Sequence, residues 1–114
     1  MTPEEENQIT KAVDREIAFM VAKIPYPHMS QGITNYLRHG ITGNGSFIFY
    51  MMSDSLVATI GHADDENALA IRKWASWLYN ECPAMARGKH MPSWQARGGL
   101  LGITLASHTE KAWA

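Results

Sequence analysis

The sequence predicts a mainly α fold: a single domain over residues 1–114, built as a compact bundle of four to five helices with a glycine-rich connector. Three observations predict it. Apolar residues recur at steps of three and four in several segments, the period of a helix with one buried face. Residues that start and stop helices stand at the ends of those segments. The 114 residues, 46% of them apolar and including seven Met and four Trp, supply one core and leave no room for a second domain.

The first helix is announced by Thr2 and Glu5, spaced as a capping box, with Pro3 in the first turn and Glu4, Glu5 and Glu6 at the positive end of the dipole. Its apolar face is Ile9, Val13, Ile17, Met20 and Ile24, and Pro25 and Pro27 end it. A second helix runs from about His28 to His39, with Met29, Ile33, Tyr36 and Leu37 on one side and Gly40 as its stop. Residues 40–45 form the glycine-rich connector, and Ser46 is placed to cap the next element. Residues 47–62 read as a helix through Ile48, Met52, Leu56 and Ile60, although the aromatic start at Phe47 also suits a buried strand. Asp64 caps a fourth helix with a stripe of Ala68, Ile71, Ala75, Leu78 and Cys82, broadened by Trp74 and Trp77 and closed by Pro83. A short helix fits residues 93–97 before Gly98 and Gly99. The tail, residues 100–114, fits a strand or a helix equally.

Composition excludes several classes of function. A net charge of -1, from ten Lys and Arg against eleven Asp and Glu, is not that of a dedicated nucleic-acid binder. The single cysteine, Cys82, allows neither an intramolecular disulfide nor a cysteine-based zinc site and fits a reducing interior. The acidic N-terminus is the reverse of a signal peptide. The longest apolar run, Phe47 to Met52, falls far short of the roughly 20 residues that span a bilayer, so no membrane partner is expected.

Two groups of residues suggest a site for a small phosphorylated ligand. Tyr36, Arg38 and His39 precede Gly43, Asn44, Gly45 and Ser46, where backbone amides and glycines would admit a phosphate and a cation and an aromatic ring stand near in sequence. The glycine spacing matches neither the dinucleotide nor the P-loop fingerprint, and a helix cap followed by a loop explains it as well. Between Cys82 and Thr109 lie Arg87, Lys89, His90, Arg97 and His108 and no acid, with Trp94 among them as a ring that could stack a base or stand buried in a solvated loop. His62, Asp64, Asp65 and Glu66 resemble a metal cluster, but helix capping accounts for the acids better than ligation, so no metal and no cofactor are expected. Cys82 sits in an apolar stripe and reads as an inert buried thiol. No paired carboxylates are spaced for acid–base work; an enzyme would have to use His39 or His90. Glu81, beside Asn80, reads as holding a loop backbone. Four tryptophans strain one small core, which predicts a homo-oligomer with Trp113 or the apolar tail at Leu100 and Leu101 in its contact, the competing reading being a tail that folds back over the helices and completes a monomer.

The order of Tyr36-Leu37-Arg38-His39-Gly40-Ile41, Gly45, Phe47, Asp54, Leu56, Ala63-Asp64, Asn67, Leu78-Tyr79-Asn80-Glu81, Pro83, Gly88, Trp94 and Ala96-Arg97-Gly98-Gly99 resembles small uncharacterised accessory proteins encoded by tailed phages and prophages. The likeness covers about two thirds of the chain and departs from the family pattern in the loop of residues 43–46 and at Met85-Ala86-Arg87. It implies a protein of the host bacterial cytoplasm, in a class whose short members often inhibit bacterial anti-phage defence. With the phosphate-compatible groups, the expectation is a non-enzymatic protein that sequesters a nucleotide-derived signal. The alternatives are a protein–protein inhibitor of a defence complex such as a Cas assembly, with the acidic first helix in contact, and a small enzyme acting on a nucleotide.

Overall fold

The computed structural model describes residues 1–43 and 46–113, with side chains throughout except at Ser46 and residues 109–113. Its described residues form eight α-helices: α1 (Pro3–Val21), α2 (Ser30–His39), α3 (Ser46–Met52), α4 (Leu56–His62), α5 (Asp65–Leu69), α6 (Ile71–Asn80), α7 (Met91–Ala96) and α8 (Gly99–Trp113). The mainly α reading holds. No helix among the described residues is long and apolar enough to cross a membrane.

Local chemistry sets the ends. Thr2 Oγ1 accepts from Glu5 N at 3.1 Å and opens α1 as the capping box requires. Gly40 closes α2 in the left-handed region at φ 77°, where a side chain would be strained. Asp64 Oδ1 accepts from Asn67 N at 2.8 Å and starts α5. Pro92 stands in the first turn of α7, where its missing N–H costs nothing.

The element count exceeds the four to five helices expected because two long helices are each split and the tail adds another, α8. Residues 47–62 form α3 and α4, parted at Asp54, which takes φ 59° while Ser55 N donates back to Tyr50 O at 3.0 Å. This closes α3 as a left-handed cap without a glycine. Leu56 and Ile60 therefore leave the face of Ile48 and Met52 and are exposed. The expected fourth helix is parted at Ala70 into α5 and α6. Its buried stripe is Asn67, Ala70, Trp74 and Trp77, so Ala75 is exposed and Ile71 and Leu78 are only half-buried. The bulk of two indoles, not the spacing of smaller residues, fixes which side faces inward.

The tail is a helix. Leu100, Leu101 and Ile103 of α8 pack against the core, and α8 lies on α1 and α2. The tail folds back over the helices, with Leu100 and Leu101 half-buried there. Trp74, Trp77 and Trp94 are all buried in one core. Each indole N–H has an acceptor: Asn67 Oδ1 at 2.8 Å, Met20 O at 3.0 Å and Tyr36 O at 3.1 Å respectively. Such pairing lets a small core enclose amphipathic rings. The side chain of Trp113 lies outside the described residues.

Candidate functional site

The residues expected to hold a phosphorylated ligand do not converge. Tyr36 is fully buried and its hydroxyl donates to Ala86 O, while Trp94 is buried beneath α2 with its N–H on Tyr36 O. Both are corrected from ligand contacts to core residues: their rings fill the interior and their polar atoms bond within it. Arg38 Nε stands 3.2 Å from Asp14 Oδ1 in an ion pair, and Arg87 donates to Asp54 Oδ2 at 3.4 Å. Within the acid-free stretch the charge of Arg87 is thus met by Asp54 of the α3–α4 turn, and outside it that of Arg38 by Asp14 of α1. His39, Lys89, His90 and Arg97 are exposed. Gly43 borders an open cavity of about 250 Å³ lined by Gln31, Asn35, Ile41, Thr42 and Ile48 with Gly32, and no cation lines it. Asn44, Gly45 and the side chain of Ser46 lie outside the described residues.

The apparent metal cluster disperses too. His62 Nδ1 is 2.9 Å from Ala58 O and its ring lies on Tyr50, with centroids 4.6 Å apart, while Asp64 caps α5. Asp64 and Glu66 face His28 instead, at 3.7 and 4.0 Å. Among the described residues no group of three His, Cys, Asp or Glu is placed to hold a metal ion. Glu81 pairs with Lys23 at 3.4 Å, tying α6 to the end of α1 rather than holding a loop backbone.

Cys82 is buried beside this machinery. Burial pushes its thiol up to about 12, with Asp54 acting in the same direction and Arg87 opposing it. Burial, and then Cys82 itself, also raise the Tyr36 phenol. In the unfolded chain the thiol ionises near its ordinary 9.0, whereas the folded chain holds the proton to about 12. The stabilisation is therefore complete below pH 9 and is lost as pH rises toward 12, at up to about 1.4 kcal/mol per pH unit. Urea midpoints measured from about pH 8 to 10.5 are expected to fall above pH 9, and Cys82→Ala flattens that fall. A midpoint independent of pH in the parent chain contradicts this.

What the fold does bring together is apolar. Helix α4 packs chiefly on α3, and only Thr59 of α4 is buried, its hydroxyl donating to Ser55 O at 2.5 Å. Leu56, Val57 and Ile60 are 64%, 85% and 44% exposed. Leu69 of α5 and Tyr79 of α6 are likewise in solvent. Between α4 and α6 opens a cavity of about 180 Å³, walled by Met51, Leu56, Thr59, Ile71, Trp74 and Leu78, with Asp54 and Ala75 also in its lining. Asp54, held by Arg87, is the one charged group among these lining residues. Isolated exposed aliphatics are ordinary, but a row of them bordering an apolar cavity marks a contact surface. Sequence spacing missed this face because it assigned Leu56 and Ile60 to the core.

Compared with protein-family models, with curated proteins and with solved structures, the chain matches none.

Proposed function

We propose that this chain is a non-enzymatic accessory protein that acts by protein contact, and that the α4–α6 face is its contact surface. The observation that carries the reading is the exposure of Leu56, Val57 and Ile60 on a helix packed chiefly against one neighbour, beside an apolar cavity. Covering what each of these side chains still exposes contributes on the order of 1–2 kcal/mol toward association. Its occupant in action is an amphipathic helix of a bacterial defence protein, whose spaced apolar side chains suit a short apolar groove. Self-association belongs to the same reading. Sequestration of a phosphorylated signal has weaker support, since Tyr36 and Trp94 are buried and Arg38 and Arg87 are paired.

The test is phage plating on bacteria that carry single defence systems and express the chain. Inhibition of one system by the parent chain is expected to disappear in Val57→Asp and Leu69→Asp, both at exposed positions where folding tolerates the change. Lys89→Ala and Arg97→Ala are expected to retain it. The reverse pattern points to a phosphate-binding site and removes the contact reading, and a parent chain that protects no phage removes the anti-defence role.

A further inference from the structure

We propose that the groove between α1 and α8 binds a linear aliphatic polyamine, which lies along α1 with one end at Glu5 and the other at Glu16. The inference is independent of the α4–α6 reading and concerns a different part of the surface.

Helices α1 and α8 pack against each other, and a cavity of about 420 Å³ opens along their contact. Both of its acids come from α1. Glu5 and Glu16 line it three turns apart, about 16 Å along the axis at a rise of 1.5 Å per residue. Whole turns return the two side chains to one face. In the sequence between these acids, Ile9, Ala12 and Val13 supply an apolar stretch of the lining, and Gln8 adds a carboxamide. Thr104 and His108 of α8, one turn apart, complete it with two further polar groups. Asp14, on the same helix but outside the lining, is held by Arg38. Among the described residues, by contrast, neither Glu5 nor Glu16 has an ion pair, and the lining includes no Lys or Arg.

This pattern selects the ligand. Two carboxylates call for two cations, and their separation requires those cations to stand far apart in one molecule. A divalent metal ion cannot bridge acids three turns apart and meets one at a time. The apolar stretch between them suits methylene groups, as the stems of long cationic side chains lie along apolar surface while their heads meet a charge. Bonds of about 1.5 Å in a zigzag give an extended spermine about 16 Å between its end nitrogens, the span from Glu5 to Glu16. Its inner ammonium groups find acceptors in the Gln8 carboxamide, the Thr104 hydroxyl and a neutral imidazole at His108. The chain as a whole has a net charge of -1 and exerts little pull on a cation, so affinity for this ligand must come from the groove.

Calorimetric titration of the full chain with spermine tests this, at about pH 8 where imidazole carries little charge, with putrescine and magnesium chloride as probes of short reach and of charge alone. Spermine is expected to bind with a dissociation constant of about 1 mM or below, and putrescine and magnesium about tenfold or more weakly. Amide resonances of Ile9, Ala12 and Thr104 are expected to move as spermine is added, which places the ligand without any substitution. Glu5→Gln and Glu16→Gln, at exposed positions, are each expected to weaken spermine about three- to fivefold. Putrescine is expected to change by about twofold or less in either variant, because a short diamine uses one acid at a time. Glu6→Gln, exposed on α1 outside the lining, is the control expected to change nothing. Spermine that binds no tighter than magnesium, or that responds to Glu6→Gln as to Glu16→Gln, reveals diffuse attraction to an acidic helix and overturns the proposal. Resonance shifts confined to other faces overturn it by placing the ligand elsewhere. Val57→Asp is expected to leave spermine binding unchanged, so this proposal and the α4–α6 reading fail separately.

Discussion

Gly99→Ala is expected to lower stability by about 3–5 kcal/mol, a large share of the roughly 5–15 kcal/mol that holds an ordinary domain. Two costs combine. Gly99 sits at φ 69°, where an L side chain costs roughly 1–2 kcal/mol. Its Cβ would also stand 2.6 Å from Arg38 O and 2.7 Å from Arg38 C and Gly40 N. These are backbone atoms at the end of α2, fixed by the Gly40 N to Tyr36 O bond at 2.8 Å, so they cannot swing aside as a side chain would. Gly40 faces the same junction from the other side, with its own Cβ position 2.8 Å from Gln95 Cα. The end of α2 and the start of α8 therefore meet backbone to backbone, a closeness only glycine permits. Gly43→Ala is the control: φ is 58° but nothing stands within 4 Å of its Cβ position, so only the conformational cost remains. Urea unfolding of the two variants separates the effects. Equal midpoints for Gly99→Ala and Gly43→Ala would show that the close approach carries no energy.

The punctuation of the fold was legible in the sequence where it is made by local chemistry. Thr2, Asp64 and Gly40 act at the positions their residue types indicate. The break at Asp54 was not, because Ser53-Asp54-Ser55 holds neither glycine nor proline, and what stops α3 there is a left-handed aspartate closed by a bond from Ser55 N. The register of α6 was misread because spacing counts Ala75 and Trp74 alike, whereas packing favours the larger ring. For the site, sequence proximity misled in a specific way. Arg87 looked unpaired in the stretch after Cys82 because its acid, Asp54, lies 33 residues away. The adjacency of Leu56 and Val57 was the available sign of the contact face: a helix cannot bury both neighbours on one narrow stripe, and here Val57 is left almost wholly in water.

Several residues between Tyr36 and Gly99 do much of the structural work. Tyr36 and Trp94 join α2 to the 84–97 segment through Ala86 O and Tyr36 O, and Glu81 ties α6 to Lys23. Asp54 turns the chain and anchors Arg87, and Gly88 gives it room: a Cβ there would meet Asp54 Oδ2 at 2.6 Å.

Asn67→Leu is expected to cost about 2–3 kcal/mol, the second largest effect of a single substitution here. Asn67 is a buried polar residue, 2% exposed, and its Oδ1 is the acceptor for the Nε1–H of Trp74. Trp74 itself is 0% exposed and stands edge-on to Phe47 and Trp77, with ring centroids 5.7 and 6.0 Å away. Leucine matches asparagine in size but accepts nothing, so the indole donor is left in an apolar interior with no water to take its place. The loss comes from the orphaned donor and not from packing, and a double-mutant cycle can show which. Trp74→Phe alone removes the donor, leaves Asn67 Oδ1 without it and opens a small void. Combined with Asn67→Leu it removes both polar partners, and a pair replaced together by apolar groups costs far less than the sum of its halves. The expected coupling is about 1–2 kcal/mol in favour of the double variant. Simple additivity of the two losses would mean that the 2.8 Å bond contributes nothing and that Asn67 serves through its backbone bond to Asp64 and its side-chain bond to Met29 Sδ.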